Sequence, residues 1–292
     1  MKKFSWVLFL FGFFFLMIAG CGYIMGQAMD PQSKQLSHVP YLALVKIEGT
    51  LMDPLPVMDQ IRKHVKDKNC RGMMIRVDSP GGAVGAAQEI NQELLSLRES
   101  DFPVVASFGN ISASGGVYAT ASAKQIFANA GTLTGSIGVI TQFPEATKLM
   151  EKVGVKMNVI TSGKYKATGN PFIKLNDGSK SRMQAVINDT WMQFVEAISI
   201  GRGLSMDSVR SFSDGSIFTG RQAQELGLVD SLGGFESARD WLTDATGMPS
   251  GTELIELLPP KPFIDRILKE PMAEVFKALQ THSSELPMFL LP

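Results

Sequence analysis

Tyr41-Leu-Ala-Leu-Val-Lys-Ile, a segment at residues 57–68, and Gly72-Met-Met-Ile-Arg-Val together set the pattern that decides the fold. The first and third are near-continuous apolar runs of strand length, and the piece between them has apolar residues at helical spacing. A strand that is apolar on both alternating faces is one buried on both sides of a parallel sheet. The alternation continues outward. Residues 83–97 have helical spacing, Pro103-Val-Val-Ala-Ser-Phe reads as a strand, the segment after Ser112 as a helix, and Gln125-Ile-Phe-Ala as a strand. A helix at 144–153, a strand at 156–161 and a long helix at 180–200 follow. Strands alternating with helices predict an α/β domain, residues 41–250, whose largely parallel sheet is flanked by helices. The glycines of residues 218–234 punctuate two short helices of structural character.

Upstream of this domain, Met1-Lys2-Lys3 precedes an uncharged stretch from Phe4 to Met25 dominated by Phe, Leu, Ile and Val. Such a run is long enough to cross a hydrocarbon layer of roughly 30 Å. The two lysines hold the N-terminus in the cytoplasm, so the chain after it faces outward. Ile18-Ala19-Gly20-Cys21 offers the alternative of a lipobox, but apolar residues continue through Tyr23, Ile24 and Met25, which favours a retained anchor over residues 1–26. Residues 27–40 are a polar, proline-containing linker. At the other end, residues 251–292 form an extension in which 259–280 carry apolar side chains at helical spacing, suited to packing on the domain or on a neighbouring subunit.

Lys+Arg and Asp+Glu are equal at 28 each in 292 residues, so no global field draws in nucleic acid. Of two cysteines, Cys21 lies in the apolar segment, which leaves Cys70 without a partner for a disulfide in the outward-facing part.

Three segments put glycine and hydroxyl residues at the ends of apolar strands, where α/β proteins build their sites. They are Asp78-Ser79-Pro80-Gly81-Gly82, Ser112-Ala113-Ser114-Gly115-Gly116 and Thr134-Gly135-Ser136-Ile137-Gly138. Glycine pairs expose backbone N–H groups without a covering side chain, as an oxyanion site needs, although each motif alone also reads as a turn or a helix cap. A nucleophilic serine requires a base. His38, His64 and His282 adjoin none of the glycine loops in sequence and read as surface residues. Attention therefore moves to lysine, which can serve as a base once desolvation lowers its pKa from about 10.4, at about 1.4 kcal/mol per unit. The candidate segment is Ser162-Gly-Lys-Tyr-Lys166-Ala-Thr-Gly169, which on composition alone is a solvated turn.

Read in order, Asp78-Ser-Pro-Gly-Gly, Ala113-Ser114-Gly-Gly with Tyr118, Leu133-Thr-Gly-Ser-Ile-Gly-Val, Ser162-Gly-Lys-Tyr-Lys and Thr219-Gly-Arg-Gln-Ala through Leu226-Gly-Leu-Val-Asp resemble the short, single-copy form of signal peptide peptidase A. That family is similar in fold to the Clp protease subunit and to crotonases. The resemblance implies Ser114 as nucleophile and Lys166 as general base, with Ser136 holding the lysine amine. It further implies backbone donors from Gly81 or Gly82, together with Gly115. It implies no metal, nucleotide or other cofactor, and the sequence has no His-Glu-x-x-His or phosphate-binding Gly-Lys-Ser/Thr loop. The substrates implied are remnant signal peptides and other apolar peptides, cleaved outside the cytoplasm at a bacterial inner membrane. A single copy of the domain implies a homo-oligomeric ring with the dyad completed near a subunit interface. Two rival readings share the fold: a crotonase-like acyl-CoA enzyme, disfavoured by an outward-facing domain, and a non-catalytic membrane scaffold, which would not need Ser114, Lys166 and Ser136 together.

Overall fold

A computed structural model describes residues 39–257. The anchor, Cys21, His38, His282, nearly all of the linker and most of the C-terminal extension lie outside the described residues. Among the described residues no helix is long and apolar enough to cross a membrane.

The chain runs β1 (Tyr41–Glu48), α1 (Leu55–Lys66), β2 (Cys70–Ser79), α2 (Val84–Glu99), β3 (Val104–Ala113), α3 (Gly115–Thr120), β4 (Gln125–Ala128) and β5 (Leu133–Gly135). Then come α4 (Thr147–Lys152), α5 (Asp177–Arg202), α6 (Met206–Ser211), β6 (Ile217–Thr219), α7 (Gly220–Glu225), β7 (Ser231–Leu232), α8 (Phe235–Thr246) and β8 (Leu254–Glu256). The sheet order is β6-β5-β3-β2-β1-β8, with β4 paired to β3 and to β7. Every pairing is parallel except β5 with β6. The expected α/β architecture is the one observed.

Period-two alternation sorts the strand residues between two cores. Ala43, Val45, Met73, Ile75, Ala106 and Phe108 join the large core beneath α1, α2 and α5, while Leu42, Leu44, Met74 and Val105 meet α8 through Ala238 and Leu242. Both faces of the central strands are thus covered, as their unbroken apolar runs require. Gly72 lets α8 approach β2, since a Cβ there would lie 2.8 Å from Thr246 Cγ2 and 2.9 Å from Leu242 Cδ1. Helix α5 starts where the Asn176 side chain accepts the Ser179 amide and stops at Gly203, whose φ of 66° ends the helical path.

Three expectations need correction. The strand expected at 156–161 is irregular chain, because among the described residues its alternating pattern finds no neighbouring strand to take its backbone hydrogen bonds; Ile160 is 98% exposed. The helix expected at 144–153 contracts to Thr147–Lys152, none of whose residues is buried. His64 is fully buried rather than on the surface, because it continues the inward stripe of Val57, Met58 and Ile61 on α1. The short strands β5 to β8 and helix α6 are additions that pattern reading passes over, being two or three residues long or, for α6, a single amphipathic turn and a half.

Candidate active site

The ends of β2, β3 and β5 converge where the sequence placed its glycine motifs. Strand β3 ends by pairing Ser112 with Thr134 and Ala113 with Gly135, so Ser114 and Ser136 are the next residues on two adjacent strands. Both leave their strands in a conformation L-residues rarely adopt, Ser114 at φ 52° and Ser136 at φ 51°. The Ser114 amide donates to the Gly135 carbonyl at 2.9 Å, and the Ser136 amide to the Ser216 carbonyl at 2.7 Å. Helix α3 begins directly after Ser114, whose ψ of −118° completes a sharp strand-to-helix turn. Such a turn holds a serine hydroxyl clear of the sheet, and small residues must flank it. Gly116 meets this demand: a Cβ there would press on Ser112 Oγ and on the Ser79 carbonyl, each at 3.3 Å.

The Pro80-Gly81-Gly82 loop lies against this turn. A Cβ on Gly81 would fall 2.8 Å from Ser114 Cβ and 2.7 Å from the Gly115 nitrogen. A parallel bridge to Leu51 fixes the loop from behind, with the Leu51 amide donating to the Gly81 carbonyl and the Ala83 amide to the Leu51 carbonyl. The three candidate glycines then separate by geometry. The Gly81 amide donates to Ser79 Oγ at 3.1 Å, whereas the amides of Gly82 and Gly115 have no hydrogen-bond partner among the described residues. Two uncommitted backbone donors beside a half-buried serine hydroxyl are the groups an oxyanion accepts from.

Ser114 opens onto a cavity of about 20 Å³, room for a small side chain, walled by Val84, Ala87, Tyr118, Gly138, Val139 and Phe194 among others. Behind the Tyr118 wall, α2, α3 and α5 are tied by side-chain hydrogen bonds. Gln88 Nε2 donates to Gln193 Oε1 at 2.7 Å and to the Tyr118 hydroxyl at 3.4 Å. Tyr118 belonged to a motif read from the sequence; Ala87 and Phe194 sit at ordinary core positions of α2 and α5 and carried no signal.

Lys166 belongs to the turn that runs to Gly169. It is exposed, forms no part of the cavity wall, and its amine has no hydrogen-bond or ion-pair partner among the described residues. The turn is fastened to the first turns of α5, where Thr168 Oγ1 donates to Ser179 Oγ at 3.0 Å and the Arg182 guanidinium lies 5.5 Å from the Tyr165 ring centre. The chain by itself brings Ser114, Ser136, Gly81, Gly82 and Gly115 together, while Lys166 is exposed and outside the cavity wall. No group of His, Cys, Asp and Glu side chains among the described residues could hold a metal ion.

Comparison with known proteins matches residues 96–248 to Peptidase family S49. A putative protease of Synechocystis sp. is 47% identical over 206 residues, covering 70% of this chain and 74% of that protein. A putative signal peptide peptidase SppA of Enterococcus faecium is 36% identical over 65% of this chain but only 57% of its own length. Among solved structures, a mutant of the 1510-N membrane-bound stomatin-specific protease superposes with a TM-score of 0.51 at 15% identity, covering 76% of this chain and 99% of that one, which is a likeness of fold. On the family match and these relatives, the chain belongs to peptidase family S49, the signal peptide peptidase A family, and is a serine peptidase.

Proposed function

We propose that this peptidase is a membrane-anchored endopeptidase that cleaves apolar, unstructured peptides, remnant signal peptides among them, with Ser114 as nucleophile and Lys166 as general base. The observation that carries the reading is the strained Ser114 turn beside the two uncommitted amides of Gly82 and Gly115. The Lys166 amine takes the Ser114 Oγ proton as Oγ attacks the peptide carbonyl carbon, and the negative charge on the carbonyl oxygen falls toward the two amides. Collapse expels the leaving amine, which recovers the proton from Lys166. The same lysine then draws a proton from water as its oxygen attacks the acyl carbon, and returns that proton to Ser114 Oγ as the ester bond breaks and the acid product leaves. Ser136, one register step from Ser114, orients the lysine amine without supplying a charge that would hold its proton. The small apolar cavity takes the side chain preceding the cleaved bond.

A ring of identical subunits supplies the missing half of the site. The segment of residues 137–176 that carries Lys166 also exposes Ile140, Leu149, Val153, Val155 and Ile160, apolar side chains that a second copy would cover. In that arrangement Lys166 of one copy serves Ser114 of the next. The uncharged stretch from Phe4 to Met25 behind two lysines anchors the ring, with the catalytic domain on the outer side of a bacterial cytoplasmic membrane.

The test uses the full chain in detergent and a fluorogenic apolar peptide. Ser114→Ala and Lys166→Ala each abolish hydrolysis, and co-assembly of the two inactive variants restores part of it, because some interfaces then pair an intact serine with an intact lysine. Full activity in Lys166→Ala would sink the dyad. An active wild type with no recovery on mixing would place the base within the same copy.

A further inference from the structure

One half-buried carboxylate has no part in the mechanism above yet stands where β2, before the Gly81-Gly82 loop, meets β3, before Ser114. Asp78 is the penultimate residue of β2, directly before the Ser79-Pro80-Gly81-Gly82 loop. Across from it, β3 breaks register. Val77 pairs with Phe108 and Ser79 with Ser112, so the single residue Asp78 stands opposite three, Gly109, Asn110 and Ile111. The irregularity falls where β3 changes partner on its other side. Val105 to Phe108 pair with β4, whereas Ile111 to Ala113 pair with β5, the strand whose Gly135 carbonyl holds Ser114.

A bulge of this size leaves backbone donors without their ladder acceptors. The Asp78 side chain supplies the replacement: Oδ1 accepts the Ile111 amide at 3.2 Å, and Oδ2 accepts the Asn110 side-chain amide at 3.0 Å. Gly109 packs directly onto that carboxylate, since a Cβ there would lie 2.9 Å from Oδ2. From the opposite side the buried Thr132 hydroxyl donates to the Gly109 carbonyl at 2.7 Å. The bulge is thus gripped from β2 and from the approach to β5, three residues before Ser114.

We infer that Asp78 is a positioning residue: its carboxylate, in place of a β2 carbonyl, fixes how far β3 runs past β2 and so sets Ser114 against the Gly82 and Gly115 amides. The inference rests on the reading of Ser114 as nucleophile for its effect on catalysis. Its structural half does not. Asp78 is half-buried, so in its absence water can take over the Ile111 amide and the fold survives with the strand end loosened.

The test compares full-length wild type, Asp78→Ala and Asp78→Asn in detergent. Asparagine keeps an oxygen for the Ile111 amide, and the Asn110 amide can turn its own oxygen toward the new NH₂ group. Misplacing a reacting group by about 1 Å costs on the order of 100-fold, so Asp78→Ala lowers kcat about 10- to 100-fold with KM changed by less than about twofold, and Asp78→Asn restores most of the loss. Hydrogen exchange at the Ile111 amide, which requires no activity, is faster in Asp78→Ala and close to wild type in Asp78→Asn. Unchanged kcat in Asp78→Ala, or unchanged Ile111 exchange, overturns the inference. So does an equal loss in both variants, which would assign the effect to charge rather than to the acceptor. A wild type with no Ser114-dependent hydrolysis would refute the peptidase mechanism instead, with the Ile111 exchange still deciding the clamp.

Discussion

Lowering the pH from about 7.5 to about 5 should weaken the fold through His64 specifically. The imidazole is fully buried, its Nδ1 lies 3.2 Å from the Tyr41 hydroxyl, and its Nε2 has no partner among the described residues. Burial pushes its pKa from the ordinary 6.5 down to about 4, and the negative charge of Asp67 offsets only part of that effect. The neighbouring groups cannot compensate: burial raises the Tyr41 hydroxyl and pushes the Cys70 thiol up to about 11, so both remain neutral throughout this range. Between about pH 6.5 and 4 the unfolded chain binds a proton that the folded chain refuses, so stability is complete above the unfolded value and declines as pH falls. With those two pKa values the loss on moving from about pH 7.5 to 5 is about 2 kcal/mol, approaching about 3 kcal/mol below pH 4. The assay is urea unfolding followed by far-ultraviolet circular dichroism at the two pH values, for wild type and His64→Leu. Leucine removes both the titration and the orphaned nitrogen while leaving Tyr41 one contact poorer, so at about pH 7.5 the two proteins differ by about 1 kcal/mol or less. At about pH 5 the variant is the more stable. Parallel pH dependence in the two proteins would refute the argument.

Three further outcomes follow from the geometry around Ser114 and from the end of α5. Gly115→Ala places a methyl carbon 3.0 Å from the Gly82 nitrogen, which disturbs both uncommitted amides; kcat should fall about 100-fold with little change in KM, read by steady-state hydrolysis. Ala87→Leu fills the small cavity and should cut kcat/KM at least about tenfold for peptides with alanine before the cleaved bond, whereas Phe194→Ala should shift preference toward larger apolar side chains in a peptide-library digest. Arg202 is buried, donates to the Ala123 carbonyl at 3.0 Å and pairs with Asp230, whose carboxylate also accepts the Ile126 amide at 2.7 Å. Arg202→Ala leaves that partly exposed carboxylate without its cation, and a loss of about 2–3 kcal/mol should register as a lowered thermal midpoint.

How legible each part was depended on whether the spacing of residue types alone encodes its surroundings. The central strands could be read because their apolar runs are satisfied by neighbours a few tens of residues away, and the Ser114 turn because the close approach of two strand ends demands glycine pairs that stand out in the sequence. His64 was misread by residue type when its spacing from Ile61 and Val57 already assigned it to the inward stripe of α1. The Asp78 bulge left no trace in periodicity, since it is a register event between strands whose polar residues simply look like a loop. The segment at 156–161 fails for a different reason. Its alternation of Lys156, Met157, Asn158 and Val159 is that of a strand, yet an isolated strand leaves its backbone donors and acceptors to water, and no strand among the described residues pairs with it.

That last mismatch bears on how the activity is controlled. The nucleophile and its backbone donors are assembled by sheet register, which a single chain completes on folding. The turn carrying Lys166 is fastened to α5 and packs at Gly169 against Phe143, amid apolar side chains that face solvent, Ile140 at 82% exposure among them. On the proposed arrangement, in which Lys166 of one copy serves Ser114 of the next, specific activity should rise with protein concentration and saturate with assembly. Activity per subunit measured across a dilution series, alongside sedimentation, checks this: constant specific activity down to dissociated monomer would mean that the lysine reaches Ser114 within one chain.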